Sequence, residues 1–174
     1  MEVVIRMERE EDYEEIEKTV LLAFGDEDES EFVQELRNTE YYIPQLSLVA
    51  EIDGEVVGHM MFAPIWTENG EDLNTFLCLA PLAVLPAKQG LGIGTKLVEK
   101  GLERAEKLNY CAVFLLGDPD YYSRFGFVQS RERGFEIDLF SPSDEEFMVQ
   151  ELIDGCLKNR GGTLRFPPPF EVFD

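Results

Sequence analysis

Residues 82–94 read Leu-Ala-Val-Leu-Pro-Ala-Lys-Gln-Gly-Leu-Gly-Ile-Gly, an apolar strand that runs into three closely spaced glycines and then into an amphipathic segment. No other stretch constrains the fold as much. Gly90, Gly92 and Gly94 lack the Cβ atoms that would block approach to the backbone, and the N–H groups opening the next helix have no intrahelical acceptors. A phosphate supplies such acceptors, and the helix dipole favours it. Glycines also make ordinary turns. The surrounding chain has to decide between an anion cradle and a plain turn.

Charge is the first discriminator. Residues 87–107 carry Lys88, Lys96, Lys100, Arg104 and Lys107 against Glu99, Glu103 and Glu106, in a chain whose net charge is −21. The glycines therefore sit in a locally basic stretch of an acidic protein, as an anionic ligand requires. Nucleic acid is excluded as a partner by the remaining charge. Residues 1–40 hold fifteen acidic side chains against four basic ones. That excess reads either as a solvated surface or as an attraction for a cationic amine.

With 174 residues, 44% of them hydrophobic, the chain is expected to form a single domain over 1–174, with 155–174 as a C-terminal extension packed on the sheet or on a partner. No apolar run approaches the roughly 20 residues that span a bilayer, and Met1-Glu2-Val3-Val4-Ile5-Arg6 lacks the form of a signal peptide. A cytoplasmic protein with no membrane contact is expected. Cys78, Cys111 and Cys156 are widely spaced and His59 is the one histidine, so the sequence predicts neither a disulfide nor a metal site. The three cysteines read as small buried hydrophobes.

Val3–Ile5 suggests a first strand, and Tyr13, Ile16, Val20, Leu21 and Phe24 recur at helical spacing within a helix predicted over 8–24. Ser30 is the predicted N-cap of a second helix carrying Phe32, Val33 and Leu36. Asp53-Gly54 predicts a hairpin between Leu46–Ile52 and Val56–Trp66, with Pro64 marking an edge or a bulge. A strand within 73–85 leads to the glycines. Ile93, Leu97, Leu102, Ala105 and Leu108 then form a helical stripe, with Gly101 allowing close packing. Cys111–Leu116 is wholly apolar, the pattern of a strand parallel to its predecessor across a helix. Pro119 starts a short helix ending at Gly126, and later strands are predicted at Phe135–Leu139 and Phe147–Ile153. The Phe166–Phe173 tail is too rich in proline for a helix.

Two phosphate motifs fail against Gly90-Leu91-Gly92-Ile93-Gly94-Thr95-Lys96. Thr95 occupies the third glycine slot of a dinucleotide fingerprint, and the same residue separates Gly94 from Lys96 where a P-loop needs Gly-Lys. A third pattern fits. Gln89-Gly90-Leu91-Gly92-Ile93-Gly94 resembles the Gln/Arg-x-x-Gly-x-Gly/Ala signature of the GNAT superfamily of N-acetyltransferases, preceded as in that family by Leu-Ala-Val-x-Pro. Tyr121-Tyr122-Ser123-Arg124-Phe125-Gly126-Phe127 resembles the family's Tyr-x-x-x-Gly-Phe segment, about thirty residues on. Gly58-His59, Leu116-Gly117-Asp118-Pro119 and the proline-rich tail resemble the YhbS-like subgroup.

The resemblance implies an α/β (α+β) fold: a mixed, mostly antiparallel central sheet with a splayed parallel strand pair and flanking helices. It implies acetyl-CoA as the acyl donor. Leu82, Ala83 and Val84 match the segment that pairs with the pantetheine arm, and Gln89, Gly90, Leu91, Gly92, Ile93, Gly94 and Thr95 match the pyrophosphate grip. Lys88 and Lys96 read either as added charge or as a solvated helix face. Tyr122, four residues before Gly126, matches the acid that protonates the departing thiolate, while Tyr121 reads as a packed aromatic.

The expected reaction is direct transfer of acetyl from the thioester to a primary amine, on a small molecule or a protein. The base stays open. Cys78 stands where some members carry glutamate, and Glu68, Glu71 and His59 are the other candidates. Gly117-Asp118 replaces the asparagine common before the tyrosine helix. A non-catalytic acyl-CoA-binding or regulatory module is the alternative, a cofactor-free interaction protein using the acidic face is a third, and the apolar tail leaves a homodimer open.

Overall fold

In the computed structural model, which describes residues 2–70 and 73–173, the chain forms two compact units. The first comprises residues 1–63 and 80–104. It contains β1 (Val4–Met7), α1 (Tyr13–Phe24), α2 (Asp28–Arg37), β2 (Ser47–Ile52), most of β3 (Glu55–Thr67), the end of β4 (Phe76–Val84) and most of α3 (Ile93–Lys107). The second, residues 64–79 and 105–174, holds the remainder of those three elements. To them it adds β5 (Ala112–Leu116), α4 (Pro119–Tyr122), β6 (Val128–Gln129), β7 (Phe135–Glu136), β8 (Phe147–Glu151) and β9 (Gly162–Arg165).

In the first unit Asp53 and Gly54 take φ of 52° and 80°, the two left-handed residues that a tight hairpin between right-twisted strands requires. They join β2 to β3 in antiparallel register, Val49 opposite His59, and β1 pairs antiparallel with β2, Ile5 opposite Ala50. Successive side chains on β3 face opposite ways. Gly58, Met60 and Phe62 meet α3: a Cβ at Gly58 would come within 3.1–3.3 Å of Leu97, Ala83 O and Ile93, and one at Gly101 would collide with Met60 and press on Phe62. Missing side chains at 58 and 101 thus let the helix lie close on the strands. Ile16, Val20, Phe32, Val33 and Leu36, the apolar faces of α1 and α2, are fully buried.

The predicted helix over 8–24 starts later, at Tyr13. Glu8 N–H continues the strand by donating to Ser47 C=O at 3.0 Å. The Asp12 carboxylate then takes the Arg9 N–H at 2.8 Å and both Arg6 terminal nitrogens at 2.7 and 2.9 Å, so a 3-10 turn precedes the helix. Ser30 is no cap. The second helix begins at Asp28, and buried Ser30 accepts from Gln34 inside it. On α3 Ile93, Leu97 and Ala105 are buried as predicted, whereas Leu108 lies beyond the helix end and is 42% exposed.

In the second unit β5 runs parallel to β4, joining Phe76, Leu77 and Cys78 to Ala112, Val113 and Phe114, with α3 between them in sequence. β8 pairs antiparallel with β5 and with β6. Phe114 and Phe135 meet edge-on at 4.9 Å, and Phe76 stands 5.4 and 5.5 Å from them, aromatic packing that adds to simple area burial. β9 pairs with the last residues of β3 and with β7. Pro64 falls on β3 between its β2 and β9 pairings, after Met61 opposite β2 and before Trp66 opposite β9. The strand predicted over 135–139 is only two residues long, and β6 and β9 were not legible as strands.

Two expectations are corrected here. Cys111 and Cys156 form a disulfide with Cα atoms 5.8 Å apart, 45 residues apart in sequence. The Leu152 N–H bond to Cys111 C=O and the turn closed by Cys156 N–H on Ile153 C=O return the chain to the start of β5, which no spacing rule reveals. The proline-rich tail does turn helically, as a 3-10 helix over Pro168–Phe173, with buried Phe170 5.0 Å from Phe166. Proline is tolerated there because its ring presets φ and its missing N–H is not needed in the first turn.

Candidate active site

β4 ends where Leu85 N–H donates to Val57 C=O at 2.9 Å, and a 3-10 turn over Pro86–Lys88 follows. Gln89 spends its own N–H on Pro86 C=O at 3.4 Å, while its side-chain amide reaches back to Val84 C=O at 3.1 Å. Gln89 therefore ties the loop to the strand end through its side chain. Gly90 and Gly92 both hold left-handed φ, 80° and 81°, and a Cβ on either would meet nothing within 4 Å. The backbone needs glycine there, and the space beside it is open.

Gly92 C=O accepts the first rung of α3, from Lys96 N–H at 3.1 Å. The amides of Ile93 and Gly94 precede that rung, at the positive end of a 15-residue helix. Buried Ile93 fixes this turn against the bare backbone of Gly58. Leu82 and Val84 are part-exposed and Ala83 is buried, so the strand presents alternate residues. Lys88 is half-buried and Lys96 exposed. All ten donor-segment residues singled out in the sequence belong to the first unit. The contribution of Gly58 was not legible as packing.

Tyr122 belongs to the second unit. Asp118 caps α4 by accepting Asp120 N–H at 2.9 Å on its side chain and Tyr122 N–H at 3.0 Å on its carbonyl, and Gly126 closes the segment with φ of 93°. The Tyr122 ring packs against Tyr121 at 4.9 Å and Phe127 at 5.8 Å. Burial, then the neighbouring Tyr121 and Asp118, push its phenol well above the ordinary value of 10.0. It stays protonated. Tyr121 stacks beneath the Arg124 guanidinium at 4.3 Å.

The candidate bases fare differently. Cys78 is buried with its thiol pushed up to about 12 by that burial, and its Sγ donates to Leu79 C=O; it cannot accept a proton near neutrality. Glu68 is paired with Arg165 at 2.8 Å, and Glu71 lies outside the described residues. His59 is fully buried, with Nε2 2.9 Å from Glu8 and 3.3 Å from Ser47 Oγ.

Glu8 was missed in the sequence. Its carboxylate, with no exposed side-chain surface, accepts from Arg37 Nε at 2.8 Å, Tyr42 at 2.7 Å, Ser47 at 2.6 Å and His59 at 2.9 Å. Burial alone would raise this carboxyl, but hydrogen bonds from His59 and Arg37 outweigh it and hold the group well below the ordinary range. Arg37 also lies 3.7 Å over the Tyr13 ring, at the wall of a cleft of about 350 Å³ between α1 and α2 that Glu14, Glu17, Gln34 and Asn38 complete. Among the described residues no helix is long and apolar enough to cross a membrane, and no group of three His, Cys, Asp or Glu residues is placed to hold a metal.

The family model described as the Acetyltransferase (GNAT) family matches residues 9–127, from α1 through the tyrosine segment. The chain belongs to the GNAT family. Two Escherichia coli (strain K12) relatives, each named as an uncharacterized N-acetyltransferase, are similar over most of their length. YjhQ is 36% identical over 144 residues, 81% of this chain and 80% of its own. YhbS is 33% identical over 172 residues, 98% of this chain and all of its own. The crystal structure of Escherichia coli YhbS in complex with CoA matches this GNAT chain with a TM-score of 0.91 and 31% identity, covering 99% of this chain and 93% of that one. A GNAT acetyltransferase from Brucella melitensis in complex with acetyl-CoA matches with a TM-score of 0.80 and 32% identity, covering 97% and 98%.

Proposed function

We propose that this GNAT member is an acetyl-CoA-dependent N-acetyltransferase that passes the acetyl group directly to a primary amine. The observation that carries the reading is the donor loop. Two glycines held at left-handed φ, with open space where side chains would stand, lead into a helix whose first amides point out of its end. Such a surface fits a pyrophosphate by main-chain donation rather than by side-chain charge. Gly90 to Thr95 supply this surface and Gln89 braces it on Val84. Leu82, Ala83 and Val84 offer strand backbone to the pantetheine arm. The CoA complexes of the YhbS and Brucella melitensis proteins, both above 30% identity, support the same ligand here.

When bound, acetyl-CoA supplies an activated thioester carbonyl. The amine nitrogen forms the new C–N bond as the C–S bond breaks, and Tyr122 gives its proton to the departing sulfur. The phenol carries its proton at neutral pH, burial moving it still further above its ordinary value of 10.0, and the phenolate left after transfer regains a proton from solvent before the next turnover. The nitrogen's surplus proton leaves to solvent; Cys78 is no substitute for a glutamate, because its thiol is itself protonated.

Calorimetric titration with acetyl-CoA and a CoA-release assay over an amine panel test this. Gly92→Trp is expected to weaken acetyl-CoA binding by tenfold or more, about 1.4 kcal/mol, with the fold checked by circular dichroism. Tyr122→Phe is expected to lower kcat roughly 10²-fold, the lower end for general acid catalysis, at unchanged acetyl-CoA affinity. No binding by the wild type overturns the reading. Binding without turnover on any amine gives the acyl-CoA-binding module in its place.

A further inference from the structure

Gly117 is the last residue before the Asp118 cap of α4, and Tyr122 is the fourth residue after that cap. At many helix starts these two positions carry apolar side chains that pack on each other and fix the angle at which the chain enters. Here one partner is missing. A Cβ placed on Gly117 would stand 2.5 Å from Tyr122 Cε2 and 2.9 Å from Cδ2, whereas its next neighbour, Leu115 Cδ1, is at an ordinary 3.4 Å. The phenol ring occupies the volume that any other residue at 117 would fill.

Backbone conformation does not account for glycine at this place. Gly90, Gly92, Gly126 and Gly134 all have left-handed φ, but Gly117 does not, so the conformation that most often calls for glycine is not the reason for it here. Nor can the residue shift easily away from the ring. Gly117 N–H is bonded to Glu146 C=O at 3.0 Å, and the Tyr122 N–H is bonded to Asp118 C=O at 3.0 Å. The ring is hemmed on other sides by Tyr121 at 4.9 Å, by Phe127 at 5.8 Å and by Phe125 at 6.3 Å.

We infer that Gly117 is the positioning residue for Tyr122, its bare backbone being the floor on which the phenol ring is seated. The inference rests on the reading of Tyr122 as the acid that protonates the departing thiolate. A methyl at 117 cannot share that space, so the ring must rotate or lift, and the proton donor moves with it. Displacement of a reacting group by about 1 Å can cost on the order of 10²-fold in rate.

The test is a double-mutant cycle on the full chain with steady-state kinetics on an amine from the panel. Gly117→Ala is expected to lower kcat roughly 10- to 100-fold with the KM for acetyl-CoA unchanged. Tyr122→Phe, damaging in the wild type, should then cost little further in the Gly117→Ala background. If Gly117→Ala leaves kcat intact while Tyr122→Phe lowers it, the positioning role is overturned and the acid role stands. If Tyr122→Phe leaves kcat intact, the acid role itself falls and this inference falls with it. Thermal melts cover the case of a poorly folded variant: Gly117→Ala should lower Tm with the ring present and not in a Tyr122→Ala background. Equal losses in both backgrounds would show that the methyl meets something other than the ring, and would overturn the proposal.

Discussion

The donor loop and the Glu8 hub belong to the same compact unit but are built on opposite plans. The loop is made of backbone. Its distinguishing parts, left-handed Gly90 and Gly92 and the opening turn of α3, lie within a few consecutive residues, with open space beside the two glycines. The hub is made of side chains. One buried carboxylate gathers an arginine, a tyrosine, a serine and a histidine from positions 37, 42, 47 and 59. The surface proposed to receive an anion is open to water, which satisfies its donors in the free protein. A buried charge has no such recourse, and must carry its partners with it. Changes in the hub should therefore act on stability first, and changes in the loop on ligand affinity first.

The largest effect is expected at Glu8. Glu8→Ala leaves the Arg37 guanidinium, nearly buried beside it, without its carboxylate, and takes the acceptor from Tyr42, Ser47 and His59. Removing one partner of a buried pair costs about 3–5 kcal/mol, which urea unfolding would read as a lower midpoint. If the variant melts like the wild type, the hub is not the anchor described here.

The same carboxylate sets an acid limb. Its folded-state pKa is depressed below the ordinary 4.5, by hydrogen bonds from His59 and Arg37 acting against burial. A depressed carboxyl contributes stability that is present above its unfolded value and is lost as pH falls through the folded one. The groups facing Glu8 are Arg37 from α2, Tyr42 from the following loop, Ser47 from β2 and His59 from β3, and no second carboxylate is bonded to it among the described residues. Wild-type stability should thus decline below about pH 4.5. Glu8→Gln, starting lower, should decline less steeply over that range, and parallel slopes would assign the limb to other acids.

The contrast between loop and hub also explains what the sequence revealed. As structure, the glycine loop before α3, the end of β4 and the short α4 helix were readable because each is a local pattern: glycine spacing, apolar alternation, a proline start and a glycine stop. The parallel β4–β5 pair across α3 was readable for the same reason, since an apolar strand, a helix and another apolar strand follow in order. Glu8 was not, being one acid among many in an acidic segment, with partners tens of residues away. Cys111 and Cys156 were hidden in the same manner. Gly58 and Gly117 were visible as glycines but their purpose was not, because it depends on which ring or helix arrives opposite them. His59 was seen as a candidate base, and only the carboxylate against its Nε2 shows it to be part of a buried pair.

The smallest expected effect separates two reasons for glycine in the loop. At Gly90 a Cβ would meet no atom within 4 Å, so in the free protein the cost of Gly90→Ala is that of left-handed φ alone, about 1–2 kcal/mol. Asparagine visits this region more readily than alanine, so Gly90→Asn should melt closer to the wild type. Affinity for acetyl-CoA asks a different question. If glycine serves only the turn, binding should follow stability, with asparagine better than alanine. If the open space is where the pyrophosphate lies, the larger asparagine side chain should weaken binding more than alanine does, although it disturbs the fold less. Calorimetric titration of both variants alongside thermal melts measures the two orders. Reversal between them would mark Gly90 as part of the ligand surface, and identical orders would reduce it to a turn residue.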